Sequence, residues 1–373
     1  MKVLIISVRG PTNKNRRGGA QDYIRFIASP WLDQGYEVAI LCAQEHIAEQ
    51  TLPSQECVDG IMVTRVEAPH SRLFSLLRAT VTTMGNYDVV VENMMGFPLF
   101  LPIIVRGRPL VALKHHFEGL LFLRSQGLVK GFVGIVLENI LQPLVYRRVP
   151  FVVVSKATSK ILSSRWLRPR AGVHIVPPGV KTVGPSSRTR QAGCPTIIYY
   201  GALDIGRKRL DHLIEAFRYV SEKLPTARLI IGGTGPDEAI LRSAADDLNV
   251  EFVGFLSESQ KVELLALGWV FASPSMTEGF GITWVEANSA GIPVVAYELG
   301  LDTLNDSCSM RVPVGDVPAL ANAIYRLLVD EALREAMREP CLINAARFDW
   351  QQSSDCFLRV INSVVDCSLP QNR

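Results

Sequence analysis

The sequence carries no D-x-D, no H-E-x-x-H and no cysteine–histidine set at metal-ligand spacing, so a divalent metal has no obvious ligands. G-x-S-x-G is missing as well, which argues against an α/β-hydrolase. There is no C-x-x-C pair. The seven cysteines (Cys42, Cys57, Cys194, Cys308, Cys341, Cys356, Cys367) are odd in number and scattered, and they read as reduced, mostly buried thiols of a cytosolic protein. Long Lys/Arg runs and aromatic-basic interleaving are absent and the net charge is only +3, so nucleic acid is not an expected partner. No stretch reaches the roughly 18 apolar residues of a membrane span, because Arg, Lys, Glu or Pro interrupts each one. The apolar run in MKVLIISVRG is too short for a signal peptide. Internal repeats and low-complexity segments are also missing.

What is present points to two α/β domains. A chain of 373 residues, 48% apolar, is too long for one typical core and fills two. Short β-branched strands alternate with helical stretches throughout, the pattern of parallel sheets covered by helices on both faces. The spacing predicts strands near 2–8, 37–42, 61–66, 88–91, 109–113, 151–154 and 173–176, with helices at 20–34, 71–85, 94–105, 117–146 and 155–164. A Pro/Gly/Ser-rich stretch within 176–194 reads as a linker. A second series of strands follows near 196–201, 227–231, 250–253, 270–273 and 293–296. The expected boundaries are 1–181, a linker at 182–194, and 195–348. In open sheets of this kind ligands bind beyond the carboxyl ends of the strands, and two facing domains would make a cleft.

The run TEGFGITWVE (277–286) follows the strand WVFASPS and carries two glutamates eight positions apart, Glu278 and Glu286. Gly279 and Gly281 suit a tight turn against a ligand. If the helix opens at Glu278, Glu286 returns to the same face about 12 Å along the axis. The free N–H groups of the first turn favour an anion between them. A plainer reading makes Glu278 a cap and Glu286 a solvated residue.

The longer segment PSMTEGFGITWVEANSAGIPVVAY (274–297) resembles the nucleotide-sugar segment of the retaining GT-B glycosyltransferases of family 4, whose E-x7-E pair it reproduces. The likeness is strongest over 196–300 and collinear over 1–180. It implies two doubly wound Rossmann-like domains facing across a cleft, the first binding the acceptor and the second the donor, with the C-terminal helix 349–366 returning to the first. Glu278 would then face the sugar and Glu286 the ribose hydroxyls. The diphosphate would meet Lys208 and the backbone of Gly279, Phe280 and Gly281.

Other residues gain meaning from the same resemblance. Gly18 and Gly19 open a helix after the first strand, and the family's Gly-Gly turn there makes Gly19 and Ala20 phosphate-facing backbone; without it, this is a plain strand-to-helix turn. KHHFEG places two histidines after the strand PLVAL, where a lone histidine usually just fills surface; the family histidine matches His115 best, with His116 the alternative. Lys208 sits near a helix start, where a solvated lysine would be ordinary. The family has an arginine six residues before that lysine, and here the position is Ala202, so the usual two-cation grip needs a substitute, Arg207 or Arg209. G-T-G-P at 233–236 reads as a tight connection more than a phosphate loop, and the backbone after Gly254 would read the base.

The resemblance implies a metal-independent transferase, with no cofactor, that moves a sugar from a nucleoside-diphosphate sugar, UDP before GDP, to a hydroxyl of a glycan, lipid-linked or small-molecule acceptor. A sugar-nucleotide epimerase and a non-catalytic sugar-nucleotide binder are the alternatives. RLFSLLRATVTTM (72–84) and the apolar 122–140 segment suggest peripheral contact of a cytoplasmic protein with the inner face of a membrane, with packing against the sheet as the competing reading.

Overall fold

The computed structural model describes residues 1–11, 19–44, 46–47, 50–67, 72–95, 98–117, 119, 127–164, 168–181 and 193–368. They form two compact units, Met1–Gly179 with Trp350–Arg373, and Val180–Asp349. The expected linker 182–194 lies largely outside the described residues. The division itself falls at Val180, whose N–H donates to the Phe348 carbonyl at 3.0 Å inside the second unit.

The first unit contains β1 (Lys2–Ser7), β2 (Glu37–Ala43), a small pair β3 (His46–Ile47) and β4 (Gln50–Thr51), then β5 (Gln55–Val58), β6 (Ile61–Val66), β7 (Val89–Met94), β8 (Leu110–Lys114), β9 (Phe151–Val153) and β10 (Val173–Ile175). Its main sheet runs β10-β9-β8-β7-β1-β2-β6-β5. Among the described residues of this sheet, only the edge strand β5 is antiparallel to its neighbour. Every residue of β7 and β8 is buried, as continuous apolar runs require when helices cover both faces. The β5–β6 hairpin was not expected. Its turn is Asp59-Gly60, with φ of 50° and 82°, the type I′ geometry that matches strand twist.

The helix Trp350–Ser368 lies against the helix Gly19–Asp33, which gives its apolar face a partner. Phe357 meets Trp31 edge-on at 5.5 Å, and Ser354 Oγ donates to the Ile27 carbonyl at 2.8 Å. Phe357, Val360 and Ile361 are buried there.

Two helical expectations in this unit need correction. Helix near 94–105 shrinks to Leu101–Ile104, because Phe100 adopts a left-handed conformation (φ 56°) and β7 runs on to Met94. The second concerns 117–146, of which 118 and 120–126 lie outside the described residues. From Leu128 to Val145 the chain is one helical run of 18 residues, long and apolar enough to cross a membrane by length and composition. The interrupting residues do not break it. Pro143 is accommodated at the start of the closing segment Gln142–Val145, just after a π turn at Leu137–Leu141. Glu138 is turned inward, where Lys114 Nζ donates to it at 3.0 Å with both side chains buried. That buried pair ties the helix to the end of β8.

Glu92 is the other buried acid. Its carboxylate accepts from Tyr146 Oη at 2.7 and 2.8 Å and from the Leu99 N–H at 2.7 Å. Burial nevertheless pushes its carboxyl up to about 7, against those donors and the charge of Lys114. The folded protein therefore keeps this proton up to about pH 7, while the unfolded chain releases it near its ordinary value of 4.5. Stability is expected to fall as pH rises through that window, by on the order of 3 kcal/mol from this group. Glu92→Gln should flatten the dependence, measured as urea midpoints at pH 5 and pH 8. Identical slopes in both proteins would contradict the assignment.

The second unit holds β11 (Thr196–Tyr200), β12 (Arg228–Gly232), β13 (Val250–Gly254), β14 (Val270–Ser273), β15 (Val294–Tyr297) and β16 (Ser309–Val312). They pair in parallel in the order β13-β12-β11-β14-β15-β16. The order reverses between β11 and β14, so the loops leaving those two strands border the crevice where such sheets bind ligands. In the first unit the reversal falls between β1 and β7.

Candidate active site

Three loops close tightly over the carboxyl ends of β11, β12 and β13. A Cβ at Gly233 would lie 1.8 Å from the Gly201 carbonyl oxygen, and one at Gly235 would lie 2.1 Å from that of Leu203. Glycine is required by this approach. Gly201 and Leu203 donate to Gly232 and Thr234, so the G-T-G-P turn is a tight connection, as expected, and it fixes the path of the loop after β11. That loop enters a single helical turn, Ile205–Lys208, capped by Asp204, whose Oδ1 accepts from the Arg207 N–H at 3.1 Å. The turn stops at Arg209, which is left-handed (φ 48°), before the helix Leu210–Lys223 begins. Lys208 thus ends a short turn; the long helix expected to begin near it starts two residues later.

Glu278 lies in the loop 274–281 after β14. The expected helix start at Glu278 is incorrect. The helix is Ile282–Ser289, and Gly281 (φ 86°, ψ 53°) precedes it in a left-handed conformation that a helix cannot continue through. A side chain at Gly281 would also strike Trp284, at 2.5 Å. Neither glutamate caps this helix, which has no acidic residue in its first turn. Glu278 instead forms an ion pair with Lys208, and the Met276 N–H donates to the Arg207 carbonyl at 2.8 Å. These two contacts join the loops that leave β11 and β14.

Phe280 is buried, its ring edge-on to Phe348 at 5.0 Å and its carbonyl accepting from Thr303 Oγ1 at 2.7 Å. Its side chain is committed to packing. Gly279 lies beside it, half-buried.

Glu286, on the next helix, accepts from Tyr200 Oη at 2.9 Å and lies 3.6 Å from Lys261 Nζ. Burial raises its carboxyl above the ordinary range, with Lys261 and Tyr200 opposing the shift. Burial, with Glu286 alongside, holds the Tyr200 phenol protonated well above its usual range. Tyr200 and Lys261 are partners of Glu286 that sequence reasoning missed. Tyr200 reads as one more strand residue, and Lys261 as half of an i,i+3 helix pair with Glu258. Nothing in the spacing connects either to Glu286.

The two arginines beside Lys208 differ. Arg209 donates to both carboxylate oxygens of Asp211 and contacts His212, so it is committed locally. Arg207 makes one ion pair, Nε to Asp204 Oδ2 at 3.0 Å, and its side chain is 39% exposed. Ala202 is exposed as well.

In the first unit, Gly19 and Ala20 open the helix Gly19–Asp33; Gly18 lies outside the described residues. His115 follows β8 and is buried, while His116 is half-buried. His115 Nε2 lies 2.6 Å from Asn93 Oδ1, and Tyr23, on the helix that Gly19 opens, packs its ring against the imidazole at 5.3 Å. Burial, then His116 and Lys114, push His115 down to about 3, so the ring is neutral near pH 7. Among the described residues, no group of three or more His, Cys, Asp or Glu side chains could hold a metal ion.

Residues 194–330 match the family model described as glycosyl transferases group 1. The chain is 32% identical to a phosphatidyl-myo-inositol mannosyltransferase of Mycobacterium leprae, over 93% of each chain. It is 35% identical to a Corynebacterium glutamicum GDP-mannose-dependent monoacylated alpha-(1-6)-phosphatidylinositol monomannoside mannosyltransferase over 144 residues, 36% of this chain and 38% of that one. Its fold is similar to that of sucrose-phosphate synthase from Thermosynechococcus elongatus, with a TM-score of 0.81 at 19% identity, covering 98% and 99% of the two chains. Two Rossmann-like units, the matched family model and a relative 32% identical over 93% of each chain agree: the chain belongs to the GT-B glycosyltransferases of family 4, enzymes that transfer a sugar from a nucleotide sugar.

Proposed function

We propose that the chain transfers mannose from GDP-mannose, with retention of configuration and without a metal, to a hydroxyl of a lipid acceptor, phosphatidyl-myo-inositol foremost. The observation that carries the reading is the Lys208–Glu278 pair at the β11/β14 reversal, with Glu286 behind it on the following helix. A cation there offsets the charge that develops on a departing diphosphate, and Glu278 is released to the sugar hydroxyls as Lys208 turns to phosphate. Glu286 serves the ribose hydroxyls, with Tyr200 and Lys261 holding its carboxylate. Gly19, Ala20 and the Gly279–Gly281 backbone serve the phosphates, and His115 the sugar. Transfer with retention needs no protein nucleophile when the acceptor attacks on the face the diphosphate leaves. The sequence favours UDP over GDP; the GDP-mannose dependence of the Corynebacterium glutamicum relative supports the choice of GDP here.

A lipid acceptor also suits the surface of the first unit. Leu128, Val129, Phe132 and Leu144 are each more than half exposed along the Leu128–Val145 helix, and Leu73 and Phe74 are exposed on the helix Arg72–Thr83. The buried Lys114–Glu138 pair favours peripheral contact over spanning, because a spanning helix would have to give it up. Seven free cysteines support a reducing, cytoplasmic setting. The chain should float with vesicles of phosphatidylinositol at low salt, and failure to do so would remove the membrane contact.

Donor binding tests the whole reading. Thermal shift against nucleotide sugars should give GDP-mannose the largest stabilisation, unchanged in excess EDTA. An epimerase would make product without acceptor, and a non-catalytic binder, which Ala202 favours, would release no nucleoside diphosphate. Arg207 is the proposed substitute for the missing arginine, so Arg207→Ala should lower turnover roughly tenfold or more, the scale of one charge-assisted contact. Ala202→Arg, from an exposed position, should restore part of it. Unchanged turnover in Arg207→Ala would leave the diphosphate to Lys208 and the helix N-termini.

A further inference from the structure

Asn93 connects the ends of three neighbouring strands. It is 1% exposed near the end of β7, in register with Ser7 of β1, and it touches His115 just beyond β8. Its Nδ2 donates to Ser7 Oγ at 3.0 Å, and its Oδ1 lies 2.6 Å from His115 Nε2. The direction of this chain follows from its far end. Ser7 has one hydroxyl proton and gives it to the Arg9 carbonyl at 2.8 Å, an oxygen that can only accept. Toward Asn93, Ser7 must therefore accept, which turns the amide nitrogen to Ser7 and the amide oxygen to the imidazole. That oxygen can only accept in turn, so His115 Nε2 carries the proton. In a neutral ring Nδ1 is then a bare acceptor, and no described residue donates to it. Tyr23 packs against the ring with its own hydroxyl anchored on the Val176 carbonyl at 2.9 Å, which leaves the imidazole little room to turn.

We propose that Asn93 is a positioning residue for sugar transfer: it locks His115 in the Nε2–H form, so that Nδ1 accepts a hydrogen bond from a hydroxyl of the transferred sugar. The proposal rests on the reading of His115 as a sugar contact. An acceptor lone pair suits a reaction in which positive charge grows on the sugar, whereas an N–H or an imidazolium there would oppose that charge.

The first test uses the intact chain without turnover. Two-bond ¹H–¹⁵N correlation on histidine-labelled protein, with His115 assigned through His115→Ala, should show the Nε2–H tautomer at pH 7; an Nδ1–H ring overturns the lock. The second test is Asn93→Leu, which removes the acceptor at similar size. It should lose the single-tautomer signature and lower kcat about tenfold with the donor KM little changed, the scale of one hydrogen bond. In a His115→Ala background the same substitution should cost nothing further. Equal losses in both backgrounds, or an altered tautomer with unchanged kcat, overturn the proposal. Absence of transfer with every donor would instead sink the functional reading, and the tautomer measurement distinguishes the two because it needs no activity.

Discussion

Glu278→Ala is expected to cut turnover at least a hundredfold, on the scale of removing a group that acts on the reacting centre, while nucleoside diphosphate affinity changes little. Its carboxylate lies in the loop after β14 and is held by Lys208, and the substitution removes the proposed sugar contact. A purely structural ion pair would behave differently. Both side chains are partly exposed, and such a pair contributes about 1 kcal/mol or less. Glu278→Ala would then shift the melting temperature slightly and leave kcat near wild type, which is the outcome that would refute the assignment. Capping has been removed as an explanation, because the helix starts at Ile282 and no acidic side chain serves its first turn.

Glu286→Ala should act on binding. Losing the ribose contact is expected to weaken nucleoside diphosphate binding about ten- to hundredfold, with a smaller effect on kcat at saturating donor. Stability should fall too, because Tyr200 is buried and its hydroxyl would lose its acceptor, a cost of about 1–3 kcal/mol. Glu286→Gln keeps an acceptor for Tyr200 and separates the effects: stability should recover more than affinity. Calorimetric titration of GDP against both variants measures the difference. Wild-type affinity in Glu286→Ala would remove the ribose role.

The strands of both units were legible because parallel strands buried on both faces appear as short, continuous β-branched runs, as in KVLIIS and TIIYY. The edge was less so. Gln55–Val58 alternates in burial and carries polar residues, and the signal that should have placed it was the Asp59-Gly60 turn. Helix ends were misjudged where one left-handed residue decides them, at Phe100, Arg209 and Gly281. Motif spacing put Glu278, Glu286 and Lys208 in one unit, and the structure pairs Lys208 with Glu278 across 70 residues of sequence. The partners that set their chemistry were not legible. Tyr200 and Lys261 beside Glu286, and Asn93 beside His115, meet through tertiary packing alone, with no local pattern to mark them.

Transfer from GDP-mannose to phosphatidyl-myo-inositol in vesicles tests the central claim most directly, with release of GDP and the anomeric configuration of the product followed by NMR in the presence of EDTA. The account predicts one GDP released per mannose transferred, an α-linkage matching that of the donor, and no dependence on added metal. Inversion at the anomeric carbon, or transfer from UDP-sugars alone, would contradict it.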